Sequence, residues 1–97
     1  MTFEDLTFNS RPGHPMGEQA KAFFANGYGV SVVRGPQSYG GASGLYELAV
    51  LAGTADGFDL TYDTPVTDDV EGYLSPDDVS RLMAEVQALS AREVVAA

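Results

Sequence analysis

The side chains of this sequence that could do chemistry are mainly carboxylates. The chain has 97 residues, with 14 Asp and Glu, 5 Lys and Arg, and a formal net charge of -9. It has one histidine, His14, and no cysteine. Because thiolates and disulfides are excluded, acid–base or nucleophilic chemistry would have to use carboxylates, serine, tyrosine or Lys21. We therefore predict a protein that is not an enzyme, with no catalytic residue and no cofactor.

The acidic residues are concentrated in the second half of the chain. No Lys or Arg occurs between Arg34 and Arg81. Carboxylates spaced in this way reproduce the field of a phosphate backbone, so they favour a basic partner and repel nucleic acid and anionic lipid. The carboxylates predicted to contact a partner are Asp56, Asp59, Asp63, Asp68, Asp69, Glu71, Asp77 and Asp78.

The carboxylates between Asp63 and Glu71 leave a second interpretation open. Hard cations such as Ca²⁺ and Mg²⁺ are bound by carboxylate oxygens. The segment lacks the alternating ligands, the glycine at the sixth position and the glutamate at the twelfth that define a calcium loop. We predict no metal, and a small metal-dependent enzyme or binding module using these carboxylates is the alternative.

A glycine-rich segment runs from Gly35 to Gly44 and includes Tyr39. A phosphate-binding loop needs a helix N-terminus or a lysine directly after it, whereas the pattern here predicts a strand. The segment is therefore either a flexible connection between strands or a recognition loop in which Tyr39 offers a rigid aromatic contact. We include Tyr39 among the predicted partner-binding residues.

The elements that position these residues are predicted to form one antiparallel sheet. Residues 19–34 form two strands around Asn26-Gly27, the dipeptide typical of a type I′ turn. Residues 45–51 form an apolar central strand, and residues 58–63 alternate apolar and polar side chains as a half-exposed strand does. Hairpin-length connections favour a meander of about four strands over residues 19–63, after an irregular lead-in at residues 1–16 in which Leu6 and Phe8 could form a short edge strand.

A C-terminal helix is predicted over residues 75–90. Ser75 is an N-cap, Pro76 occupies the first helical position, and Asp77 and Asp78 complement the helix dipole. The apolar residues that recur at helical spacing are Val79, Leu82, Met83, Val86 and Leu89. This stripe is expected to pack on one face of the sheet. The chain is thus predicted to be a single α+β domain over residues 1–97, an antiparallel sheet packed against one helix.

Neither end of the sequence predicts export or insertion into a membrane. Glu4 and Asp5 occupy positions where a signal peptide carries positive charge, and no apolar stretch approaches the roughly 18 residues needed for a membrane span. We expect a cytoplasmic protein.

Five segments resemble small uncharacterised proteins of bacteriophages and prophages. The similar segments are residues 14–17, 23–34, 38–41, 44–51 and 62–74. The resemblance spans roughly residues 14–89 and assigns no residue a role. It implies a bacterial host cytoplasm and a family context in which small acidic proteins inhibit host machinery, including anti-CRISPR proteins that act as DNA mimics.

These observations predict a phage-encoded, non-enzymatic inhibitor that blocks a basic host protein, such as a nucleic-acid-binding complex. The acidic residues and the Tyr39 loop are the predicted contacts, without direct binding to nucleic acid or membrane. A phage structural or assembly accessory protein is a further alternative. The sequence does not determine the oligomeric state.

Overall fold

The computed structural model of the chain describes residues 1–14, 16–36, 38–61, 64–66 and 70–92. It confirms the predicted α+β class, an antiparallel sheet with one C-terminal helix. The elements in these ranges are a 3₁₀ turn at Phe3–Asp5, β1 (Asn9–Ser10), β2 (Glu18–Phe23), β3 (Tyr28–Arg34), a 3₁₀ turn at Gly41–Ser43, β4 (Tyr46–Thr54), β5 (Gly57–Leu60), β6 (Glu71–Leu74) and α1 (Pro76–Gln87). No described helix is long and apolar enough to cross a membrane.

Strands β1 to β5 lie side by side in chain order, each antiparallel to the next. Strand β6 departs from the predicted meander because it pairs with β4 rather than with β5. Two strands therefore share the outer edge of β4, with β5 along residues 51–54 and β6 along residues 46–48. Both β1 and β6 were missed by the four-strand prediction, since two and four residues are too few to establish a period of two.

The helix packs on one face of the sheet. Strand alternation places Val30 and Val32 of β3 on the same face as Leu48 and Val50 of β4. All four are at most 1% exposed and belong to one cluster with the helix residues. Four residues of the predicted stripe, Val79, Leu82, Met83 and Val86, are buried, and Leu89 packs against them. Each fully buried side chain of this size contributes about 1.5–3 kcal/mol to folding.

Both ends of α1 are capped by side chains. At the start, the Asp78 amide donates to Ser75 Oγ at 3.2 Å and the Ser75 amide donates to Asp78 Oδ2 at 3.1 Å, which confirms the predicted N-cap. The helix ends at Gln87 and not at residue 90. At that end Asn26 Nδ2 donates to the carbonyls of Val86 at 2.9 Å and Leu89 at 3.1 Å.

The predicted hairpin at Asn26-Gly27 exists, but the predicted type I′ turn is wrong. The connection between β2 and β3 has four residues, 24–27. A type I′ turn needs positive φ at both central residues, and here only Gly27 has one, at 83°. Asn26 instead accepts from the Tyr28 amide through Oδ1 and directs its amide group to the end of the helix. Its role is therefore set by a tertiary contact.

On the other face of the sheet, called the open face below, two aromatic side chains meet across two intervening strands. Phe23 on β2 and Phe58 on β5 have ring centroids 5.2 Å apart, although β3 and β4 lie between their strands. Gly29 on β3 leaves room for this contact. A Cβ atom at Gly29 would collide with the Ala22 carbonyl oxygen and lie 2.9 Å from Phe23 Cδ1.

The first prediction concerns this close approach. Gly29→Ala should lower the free energy of unfolding by about 1–3 kcal/mol, because the added methyl group overpacks a backbone contact. Gly57→Ala is the matched control, since a Cβ there meets nothing within 4 Å. It should change stability little or raise it by about 0.5 kcal/mol. Urea unfolding of both variants measures the difference. Equal stabilities would contradict the role assigned to Gly29 in this close approach.

The second prediction concerns the end of the helix. Asn26→Ala should destabilise the protein by about 1–2 kcal/mol, because the carbonyls of Val86 and Leu89 lose their common donor. Asn9→Ala, on the exposed edge strand β1, should be nearly neutral. Thermal unfolding followed by circular dichroism compares the two variants. A loss of the same size at both positions would show that the cap contributes nothing.

Candidate interaction surface

Three of the predicted carboxylates lie along the outer edge of β4. Asp59 on β5 is opposite Ala52, and Glu71 on β6 is opposite Leu48. These two β4 positions are four residues apart, or about 13 Å along a strand. Asp56 occupies the turn between β4 and β5. We call Asp56, Asp59 and Glu71 the acidic edge; all three are exposed.

None of the ion pairs among the described residues involves the acidic edge. Arg81 pairs with Asp78 and Glu85 on the helix surface. Arg34 pairs with Glu18 across β2 and β3, and this hydrogen-bonded carboxylate raises the pKa of the guanidinium. The carboxylates of the acidic edge therefore keep their full negative charge exposed to a partner.

Asp63, Asp68 and Asp69 lie outside the described residues, so their inclusion in the predicted surface stays a prediction. The segment that carries them connects β5 to β6 in the sequence. Among the residues that the structure does describe, no group of three His, Asp or Glu side chains is arranged to hold a metal ion.

Asp77 and Asp78 lie in the first turn of α1, directly after β6. Asp77 is exposed. Asp78 is part of the helix cap, and its hydrogen bonds with Ser75 hold the pKa of its carboxyl below the usual range, with a smaller contribution from Arg81 at 3.9 Å. Asp78 therefore has a structural role, and its contact with a partner stays a prediction.

Tyr39 is held in place by its backbone, while its side chain is 62% exposed. Its amide donates to Glu47 Oε1 at 3.2 Å, and its carbonyl oxygen accepts from the Tyr73 amide at 3.2 Å. The described part of this segment, residues 35–36 and 38–44, is more regular than the predicted loop. It contains a 3₁₀ turn and buries Ser38, whose hydroxyl bonds to the Gly35 backbone at 3.0 Å.

The sequence did not identify Tyr73, which lies beside Tyr39 and is 66% exposed. Its φ angle is 57°, in the left-handed region that non-glycine residues seldom adopt. Gly72 makes the approach possible, because a Cβ at Gly72 would collide with Tyr39 Cβ. We call Tyr39 and Tyr73 the tyrosine pair. It adjoins Glu71 of the acidic edge, which directly precedes Gly72.

The third prediction concerns the pH dependence of the Asp78 cap. A lowered folded-state pKa gives stabilisation that is fully present above the unfolded-state value, about 3.9, and is lost as the pH falls through the folded-state pKa. Asp78→Ala should therefore destabilise the protein at neutral pH, with a difference from wild type that shrinks in acid. Urea unfolding between about pH 7 and pH 3 measures it.

Asp77→Ala is the control for this experiment. Asp77 lies in the same helical turn, and none of the hydrogen bonds of the described residues uses its side chain. Its removal should have a smaller effect at neutral pH. A destabilisation by Asp78→Ala that stays constant over the whole pH range would contradict the role assigned to the ionised carboxylate.

The acidic edge and the tyrosine pair thus lie next to each other at the same side of β4, and residues from β5, β6 and the Gly35–Gly44 segment contribute to them. Comparison with protein-family models gives no match, and comparisons with curated proteins and with solved structures give no significant match.

Proposed function

We propose that this protein is a non-enzymatic binding protein that covers a basic surface of another protein with its acidic edge and tyrosine pair. The observation that carries the proposal is the tyrosine pair itself. Two aromatic side chains, each more than 60% exposed, are carried by residues whose backbones hydrogen-bond to each other, next to Glu71 of the acidic edge. Exposed aromatic groups of this kind are enriched at the centres of protein interfaces.

The backbone contacts reduce the entropic cost of binding. Tyr39 is fixed on both sides of its Cα, by Glu47 and by Tyr73, and a tyrosine side chain has only two χ angles left to order. A rigid contact residue loses less freedom on association than one in a mobile loop. The tyrosine pair is therefore suited to contribute affinity.

The carboxylates contribute mainly to the rate and selectivity of association. Charge complementarity accelerates encounter with a basic surface and disfavours acidic partners. A net charge of -9 makes nucleic acid itself a poor ligand and a protein that binds nucleic acid a good one. The phage resemblance implies an inhibitor of a host nucleic-acid-binding complex. Such a complex is a partner with the basic surface that this protein would cover.

The fourth prediction tests the surface with matched charge reversals. Asp59→Lys/Glu71→Lys replaces two negative charges of the acidic edge with positive ones, and Glu4→Lys/Glu85→Lys makes the same change in net charge elsewhere. Proteins captured by the tagged wild type from a bacterial lysate, at low and at high salt, are identified and their association rates measured. Reversal at the acidic edge should slow association about tenfold or more at low salt, with a reduced salt dependence.

A third variant tests the contribution of the aromatic contact to affinity separately from the contribution of charge to the association rate. Tyr39→Ser should increase the dissociation rate by about tenfold or more, because it removes an aromatic contact without changing charge. Duplex DNA should compete with the protein for the captured partner. Equal losses in the two charge variants, or capture unaffected by Tyr39→Ser, would contradict the proposal. A melting temperature that rises with CaCl₂ or MgCl₂ would instead favour the metal-dependent alternative.

A further inference from the structure

The open face of the sheet contains a cavity of about 530 Å³ that is separate from the tyrosine pair. Its volume lies within the range of about 300–1,000 Å³ typical of small-molecule sites. The lining side chains come from β2 to β5. They are Gln19, Lys21, Ser31, Leu51, Phe58, Asp59 and Leu60.

One end of the cavity is apolar. Leu51 is 1% exposed and forms its floor, whereas Phe58 and Leu60 remain 38% and 52% exposed. Large apolar side chains that stay exposed inside a concavity are characteristic of a surface that binds an apolar group.

The other end of the cavity presents hydrogen-bond donors. Ser31 is 9% exposed, and its Oγ accepts from Gln19 Nε2 at 2.9 Å. No described residue accepts the Ser31 hydroxyl proton, which is therefore free to donate into the cavity. Lys21 adds a cation beside the apolar end. It makes no ion pair with any described residue, and its Nζ is 4.9 Å from the centroid of the Phe58 ring.

The arrangement of charge favours an anionic ligand over a cationic one. A cation would bind best over the face of Phe58, but the Lys21 ammonium already occupies that position and would repel it. Asp59 pairs with Ala52, so strand alternation directs its carboxylate to the face opposite Phe58 and Leu60. The donors of Lys21, Ser31 and Gln19 therefore line the same cavity as the apolar side chains.

We infer that this cavity binds a small monocarboxylate with an apolar body, such as a medium-chain fatty acid. The carboxylate accepts hydrogen bonds from Lys21 Nζ and Ser31 Oγ, and the apolar body lies on Leu51, Phe58 and Leu60. Hydrogen bonds from charged donors to carboxylates are the stronger kind. A single carboxylate suits the single cation present. This site uses none of the acidic edge residues as ligands, so it can be tested independently of the proposed function.

The fifth prediction uses three probes of equal chain length, below their micelle-forming concentrations. Decanoate should bind the purified protein saturably in calorimetry, with decanol weaker by about tenfold and decylamine weakest. Lys21→Met keeps an apolar stem but removes the charge. It should weaken decanoate binding about tenfold or more and leave decanol binding unchanged, because a charge-assisted hydrogen bond is lost.

Two further variants control the experiment. Ser31→Ala should weaken decanoate severalfold, and Arg81→Met, which removes one positive charge from the helix surface, should have no effect. Circular dichroism verifies that each variant is folded, and retained decanol binding verifies that the cavity is intact. The inference is overturned if decanoate does not bind, if it binds no better than decanol or decylamine, or if Lys21→Met binds it normally.

Discussion

The pairing of β4 on both of its edges is the constraint on which the rest of the structure depends. Its inner edge holds β3, and its outer edge is divided between β5 and β6. Leu48 and Val50 point from β4 into the helix-covered core, while Leu51 forms the floor of the cavity on the open face. A shift of one residue in this register would exchange the two faces and place apolar side chains in solvent. The acidic edge, the tyrosine pair and the cavity are consequently all positioned by one strand.

The helix covers only one face of the sheet, so apolar side chains are buried differently on the two faces. On the covered face, Val79, Met83 and Val86 fill the space above β3 and β4. On the open face no described helix is present, and the side chains of Phe23 on β2 and Phe58 on β5 meet across Gly29. Leu51 is buried on this face, whereas Phe58 and Leu60 stay partly exposed. The open face therefore retains a concavity, whereas the helix-covered face is closely packed.

Local sequence signals predicted the elements that local interactions form. Ser75 and Pro76 begin the helix as predicted, and the alternating or apolar runs predicted the strands β2 to β5. The predictions were wrong where residues distant in the sequence determine the local conformation. Asn26 adopts its conformation because it binds the end of α1, and β6 forms because β4 has a free stretch of edge beside it. The sequence did not predict Tyr73 as a contact residue. Its exposure depends on its left-handed backbone conformation and on its contact with Tyr39, which lies 34 positions earlier in the chain.

Strand β5 joins the two proposed surfaces. It has four residues, all exposed, and its period of two sends Asp59 to one side and Phe58 and Leu60 to the other. The same four residues can therefore present a negative charge to a basic protein and an apolar wall to a small ligand without conflict between the two chemistries. Lys21 makes this separation possible, because its ammonium stays on the open face over Phe58 and does not pair with Asp59. An ion pair between Lys21 and Asp59 would offset the cation of the cavity and one of the three carboxylates of the acidic edge, so the orientation of this lysine preserves both charges.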